Sequence, residues 1–426
     1  MNADSGSASA AGGASRPDFT VNLASRHGTS HRWRILFMAS TILAIVFLGA
    51  LILTIVDDAF GYVVMVDEID QHSLERDGVA LVDMEADALR AVIDENLSSR
   101  RQRALSRDLS FQERTRSELL EIVMTEIVKP EVVATFTLFE SLFSRNRIME
   151  EARMSWPDCT VIFRSWVSMR FLATSQTARP MTTGVLTAVK GSLLTIAITV
   201  LFAFPAGIAA AIWLEEYAAD TWLNRLIQVN IYNLAGVPSI IYGMLGLAVF
   251  VRALEPLTSG SAFGVTAAGE VANGRTVLSA GMTLAMLILP VIIINAQEAL
   301  RAIPASLRHS SLALGATKWQ SIWHHVLPAS FDRILTGTVL AVSRAIGETA
   351  PLVVVGASTF LTQDPSGVFS KFTTLPIQIY QWTSRPQPEF RHIAAAAIVV
   401  LLVIMLTLNG FAIVTRNRLR RQKRFG

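Results

Sequence analysis

The chain has 426 residues, 51% of them apolar and only 17% charged, with a mean hydropathy of +0.43 and a formal net charge of +3. A soluble domain carries about a quarter charged residues, and here the apolar excess falls in long runs, which excludes an ordinary soluble protein and points to an integral membrane chain. The one cysteine, Cys159, excludes an intrachain disulfide and any cysteine-based metal centre, and no G-x-x-x-x-G-K-[ST] loop is present to hydrolyse ATP.

Residues 1–30 are rich in Ser, Ala and Gly without periodicity and read as a disordered tail. Residues 31–56 follow as an apolar run of roughly 22 residues, enough to cross a hydrocarbon core of about 30 Å. Asp57-Asp58-Ala59 does not resemble a cleavage site, so this run is expected to remain as the first membrane helix. Residues 57–185 are far more charged. There "RSELLEIVMTEIV" sets Leu119, Leu120, Val123 and Ile127 on one helical face, so a largely α-helical lobe outside the membrane is expected, with a break at Trp156-Pro157. Five further apolar runs, near 187–214, 226–250, 277–295, 334–360 and 393–414, bring the spans to six, and residues 415–426 form a basic tail.

Six spans put both termini on one side. Arg26, Arg32 and Arg34 precede the first, and Arg416, Arg418, Arg420, Arg421, Lys423 and Arg424 follow the last, so that side is the cytoplasm. Segment 57–185 then lies outside and the 296–333 loop inside. Glu215, Glu216 and Asp220 fall on an inner turn, a local misfit in a rule that rests on Lys and Arg. The expected fold is an all-α integral membrane bundle.

Within the third run, Gly236, Pro238 and Gly243 suit close helix packing and a kink, while Ser239 and Tyr242 serve either that packing or the wall of a path. In the 296–333 loop, Pro304 can open a helix that Gly315 ends. Trp319, Ile322, Trp323 and Val326 share a face of a second short helix, which Pro328 is expected to end. Such an elbow is either an amphipathic connector on the lipid surface or a docking knob.

The fifth run holds "SRAIGETAPLVVVG". Arg344 lies about 16 Å along a helix from Arg333, near mid-bilayer, where a lone charge costs about 2.5–3.5 kcal/mol. Glu348 is one turn on, in the weaker order for a helical ion pair. The two charges either fix helix packing or line an anion path. In the path, the guanidinium would grip an oxyanion while the carboxylate competes for its donors and keeps binding weak.

Four segments, "NLAGVPSIIYGMLGL", "LPVIIINAQEALRAIPASLRHSSLALGATKWQSI", "RAIGETAPL" and "LPIQIYQW", together resemble the phosphate-importer permeases of the PstA type, in order along residues 187–414. The elbow resembles the "EAA" loop of ABC importer permeases: Gly315, Leu327 and Pro328 fit, whereas His309, Ser310, Ser311 and His325 depart. The resemblance implies a type I ABC importer permease fold over residues 186–414, with 57–185 as an insert that some members carry. It also implies a bacterial inner (cytoplasmic) membrane location and a subunit that transports without catalysis. No cofactor or metal would be bound; ATP and magnesium would be used by a cytosolic ATPase dimer. That ATPase would dock at His309, Ser310, Gly315, Ala316, Trp319, Leu327 and Pro328. A second homologous permease and a periplasmic phosphate-binding protein would complete the complex, with Arg344, Glu348, Ser239 and Tyr242 along the path. The alternatives are a permease for another oxyanion, such as molybdate or sulfate, an ATP-independent anion transporter, and a membrane sensor using residues 57–185.

Overall fold

The computed structural model describes residues 23–422 except 77, 107–108, 265–272 and 362. The tail expected over 1–30 lies outside the described residues as far as 22; from Leu23 the chain is helical to Ala59. At the other end the helix Pro388–Gln422 runs through most of the segment expected as a basic tail. The chain divides into two compact units at Thr54/Ile55. The first unit is the bulk of the Leu23–Ala59 helix, long and apolar enough from His27 to cross a membrane.

The second unit begins with a lobe that departs from the all-α expectation. Strand β1 (Phe60–Asp67) continues directly from the first helix and lies between β2 (Pro130–Thr135) and β3 (Thr160–Ser165) in an antiparallel sheet. Its "FGYVVMVD" is rich in residues that suit a pleated, half-buried surface. The rest of the lobe is helical. Ala86–Asn96 packs Leu89, Val92 and Ile93 against Leu119, Ile122, Val123 and Ile127, so the face expected of that segment is buried, with Leu120 half-buried at its edge. Thr115 and Glu118 close a capping box at the start of Arg116–Val123.

The lobe is joined to one end of the membrane bundle. Val63, Trp166 and Phe171 share a core with Leu375, Trp382, Phe390 and Ile393. His392 stacks on Trp166 at 5.7 Å and Arg391 pairs with Asp58 at 3.3 Å. Asp364 is a further tie: it accepts from Ser175 (2.9 Å), Thr187 (2.7 Å) and Lys190 (2.6 Å). Burial alone would raise the Asp364 carboxyl, but those three bonds and the Lys190 charge outweigh it and hold it below its ordinary value. A depressed carboxylate stabilises the fold above its unfolded pKa and ceases to do so as pH falls through the folded one. The lobe–bundle tie should therefore weaken only in strong acid, and Asp364→Asn should remove that acid step from the melting-temperature profile while lowering the plateau at neutral pH.

In the bundle, Leu186–Ile212 leaves the lobe and runs into a wide terminal turn reaching Tyr217. Val277–Arg301 is the core helix. Ile198 and Ile292 fit against it and its partner where Gly281 and Gly207 provide room. The run expected as one span over 226–250 is instead two legs, Trp222–Ala235 and Ser239–Ala253, bent by 104°. The first leg lies beside the elbow end of the core helix, where Gln228 donates to Gln297 (3.3 Å). The second reaches the lobe end, where Gly274 abuts the Val251 carbonyl and the Val277 N–H donates to Ser370 O. The bent pair thus carries the chain from one end of the bundle to the other and counts as a crossing.

A helical rod from Lys318 to Gly347 rises from the elbow, breaks at Glu348–Thr349, and resumes as Ala350–Val355. The last helix returns from Pro388, with Ser343 donating to Asn409 and Arg416 to Thr336 (3.1 Å) on the way back. With the first helix, and with the bent pair taken as one, the described residues hold six segments long and apolar enough to cross a membrane.

Candidate functional site

Two breaks in regular structure lie at the same depth. Gly337 packs so tightly on Asn295 that an added Cβ would sit 2.6 Å from the Asn295 Cβ, which fixes the height of the rod against the core helix. Arg344 is seven residues further on, about 10 Å, level with the middle of the core helix. There Ala341 and Ala345 share one cluster with Leu287, Ile288 and Tyr242, and Val237 of the bend packs against it. The rod's break and the bend of the two legs are thus neighbours at mid-span.

Arg344 lies on the open face of the rod together with Leu340 and Gly347, its side chain 53% exposed. Its Nε donates to Glu348 Oε1 at 3.2 Å. Glu348 is not on the same helical face, as the sequence spacing suggests; it terminates the helix with extended backbone (ψ 118) and reaches back to the guanidinium. Pro351 accounts for the break: it has no N–H to donate to the carbonyl four residues back, that of Gly347, and its ring would clash with that carbonyl in a continuous helix, whereas as an opening residue of Ala350–Val355 it is tolerated.

At the bend, Gly236 and Pro238 are exposed and Ser239 is half-buried at the start of the second leg. Gly243 is where the second leg meets Ala350–Val355: a Cβ there would come within 2.7 Å of Pro351 Cα. Gly236 has no comparable neighbour and instead caps the first leg at the bend, whereas Gly243 serves packing. Tyr242 is buried, and its hydroxyl donates to Leu234 O of the first leg at 2.8 Å. That bond braces the bend, which is the packing role the sequence also allows for Tyr242.

Exposed irregular backbone at this depth has a physical consequence. Hydrocarbon cannot satisfy free N–H and C=O groups, and non-helical backbone at membrane depth persists only where protein or a watery cavity covers it. An exposed guanidinium there adds a cost of several kcal/mol against lipid. The exposed positions Gly236, Pro238, Arg344 and Gly347 must therefore be covered by protein or by a water-filled passage.

The second feature is the elbow. Ala305–Ala313 ends at Gly315 in left-handed conformation (φ 87), and Thr317 caps the next helix reciprocally with Gln320. Contrary to expectation, Pro328 does not end that helix. A wide π-type turn over Ile322–Val326 lies just before it, and the rod runs on through Pro328. A proline interrupts an α-helix by its missing N–H and its clash with the carbonyl four residues back; the wider turn displaces that carbonyl.

Trp319 and Trp323 stack at 5.4 Å and are both about half exposed, and Leu314 of the same elbow is 90% exposed. His309, Ser310 and Gly315 are exposed, Ala316, Leu327 and Pro328 half-buried. The elbow is fastened by Glu215 and Glu216, on the turn that ends the helix from Leu186. Arg301 donates to Glu215 (2.8 Å), and Arg308 donates to Glu216 (2.7 and 3.0 Å), to Ile303 O (2.8 Å) and to Leu300 O (2.9 Å). The Glu216–Arg308 pair was not anticipated from sequence; an acidic pair on a turn otherwise favouring cations is the signal that could have found it.

Residues 203–421 match the family described as "Binding-protein-dependent transport system inner membrane component". The chain is 35% identical to the probable ABC transporter permease protein YqgH of Bacillus subtilis, over 45% of this chain and 59% of that one. It is 32% identical to the phosphate transport system permease protein PstA of Yersinia pestis, over 57% of this chain and 76% of that one. It is 36% identical to the phosphate transport system permease protein PstC of Xylella fastidiosa, over 42% and 58%. The chain thus spans under two thirds of the length of YqgH and of PstC. Residues 60–185, the lobe, lie before the matched family region.

Proposed function

Since the chain belongs to the binding-protein-dependent transport inner-membrane component family, we propose that it is a permease subunit of an ATP-driven phosphate importer. A multi-pass inner-membrane component of this kind moves solute without altering it, and ATP hydrolysis with magnesium belongs to separate ATPase subunits. In this reading the elbow and both termini face the cytoplasm and the lobe faces the periplasm. A second permease covers the open mid-span face, and a phosphate-binding protein delivers solute at the lobe end.

The observation that carries the reading is Arg344. An exposed guanidinium at mid-span, tied only loosely to Glu348 at 3.2 Å, fits a doubly charged oxyanion through paired N–H donors, while the carboxylate keeps residence short. Phosphate is favoured over other oxyanions because relatives such as PstA and PstC carry that name. The stacked Trp319–Trp323 pair is the exposed anchor for an ATPase.

Replacing both Trp319 and Trp323 by alanine should weaken ATPase co-purification by tenfold or more, since each anchoring tryptophan at an interface contributes about 2 kcal/mol or above. Labelled phosphate uptake should fall in step, and in the unaltered complex excess molybdate or sulfate should leave it unchanged. Uptake by this chain alone in liposomes, without an ATPase, would sink the importer reading; competition by sulfate would move the solute class.

A further inference from the structure

One apolar face on the lobe is unexplained by transport. The short helix Leu138–Phe143 exposes Leu142 and Phe143, the latter 84% exposed, with Phe139 stacked on Phe143 at 6.3 Å. Phe163 of β3, half exposed, adjoins through Tyr62, whose ring it meets edge-on at 5.5 Å and whose N–H donates to Ser141 in the same helix. Four large apolar side chains on the outside of a charged lobe form a patch rather than scattered exposure.

The depth of this patch is set by bonds. The Phe139 N–H donates to Asp57 Oδ1 at 2.6 Å. Asp57 is the first residue past the apolar run of the first helix. Its neighbour Asp58 pairs with Arg391, and its carbonyl meets His392 Nδ1 at 2.7 Å, in the first turn of the last helix and just before that helix becomes apolar at Ile393. The patch is therefore held at the level where the last helix turns apolar.

Its rim carries two cations, beside one exposed carboxylate of the patch helix, Glu140, which accepts from the Thr137 N–H. Arg145 and Arg147 follow directly, both exposed, and among the described residues neither pairs with a carboxylate. They occupy the first turn of the helix Arg145–Ser155, the end at which the helix dipole disfavours cations, so helix stability does not account for them. Apolar side chains flanked by arginines at a helix–membrane boundary are the chemistry of an interfacial anchor.

We propose that Phe139, Leu142, Phe143 and Phe163 dip into the lobe-side leaflet of the membrane while Arg145 and Arg147 bind anionic lipid headgroups, so that the lobe stands on the bilayer as a foot. A second protein chain covering the same patch is the competing occupant. The test uses the full chain carrying Cys159→Ser and Phe143→Cys, spin-labelled at the new thiol and reconstituted in vesicles of phosphatidylethanolamine with a minority of phosphatidylglycerol. The label should be open to dissolved oxygen and several-fold protected from a water-soluble nickel chelate. Adding Arg145→Glu and Arg147→Glu should return it toward water in these vesicles, by about fivefold per arginine in the buried-to-exposed ratio, and should have much less effect in phosphatidylcholine alone. A label fully open to nickel overturns the proposal. So does one closed to both oxygen and nickel, which would show protein cover, or one indifferent to charge reversal in the anionic vesicles.

Discussion

Arg344→Gln should reduce phosphate uptake by about two orders of magnitude or more while the complex still assembles, because a pair of charge-assisted bonds to the solute is lost and the amide cannot replace the paired fork. The position favours a clean result. Arg344 faces away from the core helix, so glutamine opens no cavity; Glu348, its side chain 18% exposed, loses its 3.2 Å charge partner, and the glutamine amide is short but still a donor on the same side of the helix. Glu348→Gln is the informative companion. If the carboxylate competes with the solute for the guanidinium, its removal should lower KM and kcat together, since solute is held longer. If the two charges serve only to pack helices, both variants should lose assembly to the same extent and retain equal uptake per assembled complex. Uptake and pull-down measured on the same membranes separate these outcomes.

The second large effect is expected at the elbow. Glu216→Gln removes the counter-charge of Arg308, leaving a guanidinium with 22% of its side chain exposed and only neutral oxygens, backbone and amide, for partners. Breaking a buried pair on one side costs about 3 kcal/mol, the low end of the usual range because Arg308 keeps some contact with water. The subunit should melt several degrees lower, and ATPase co-purification should fall although no docking side chain has changed. Replacing both partners, with Glu216→Gln and Arg308→Met, should recover most of the stability, since two uncharged groups leave no orphaned ion. Failure of that recovery would mean Arg308 contacts the ATPase itself.

The apolar architecture was legible because its signal is length. Each run of about twenty apolar residues has one physical use, and all six runs become crossings. Breaks inside runs were less legible, for a chemical reason: "AGVPS" and "GETAP" read as tolerable kinks, since proline in a membrane helix can be accommodated by neighbours. Whether it bends the chain by 104° depends on what fills the corner, here the Tyr242 hydroxyl on Leu234. The β-sheet was missed because "FGYVVMVD" follows a 37-residue helix without a turn signal and its partners lie about 70 and 100 residues away along the chain. Pairing at that range leaves no local pattern. Arg344 and Glu348 stood out as charges in an apolar run, but their geometry did not, because the pair looks helical by spacing and Glu348 is in fact the residue that leaves the helix.

The unbroken rod from Lys318 to Gly347 has a mechanical meaning. Asn295 against Gly337 makes a fulcrum, with an arm of about 28 Å down to Lys318 and one of about 10 Å up to Arg344. Were the rod to tilt about that contact in the proposed transport cycle, a push at the tryptophan end would arrive at the guanidinium reversed in direction and cut to roughly a third of its amplitude. A swing of several ångströms below becomes one or two above, which is the scale on which a paired hydrogen bond to a small anion is made or lost.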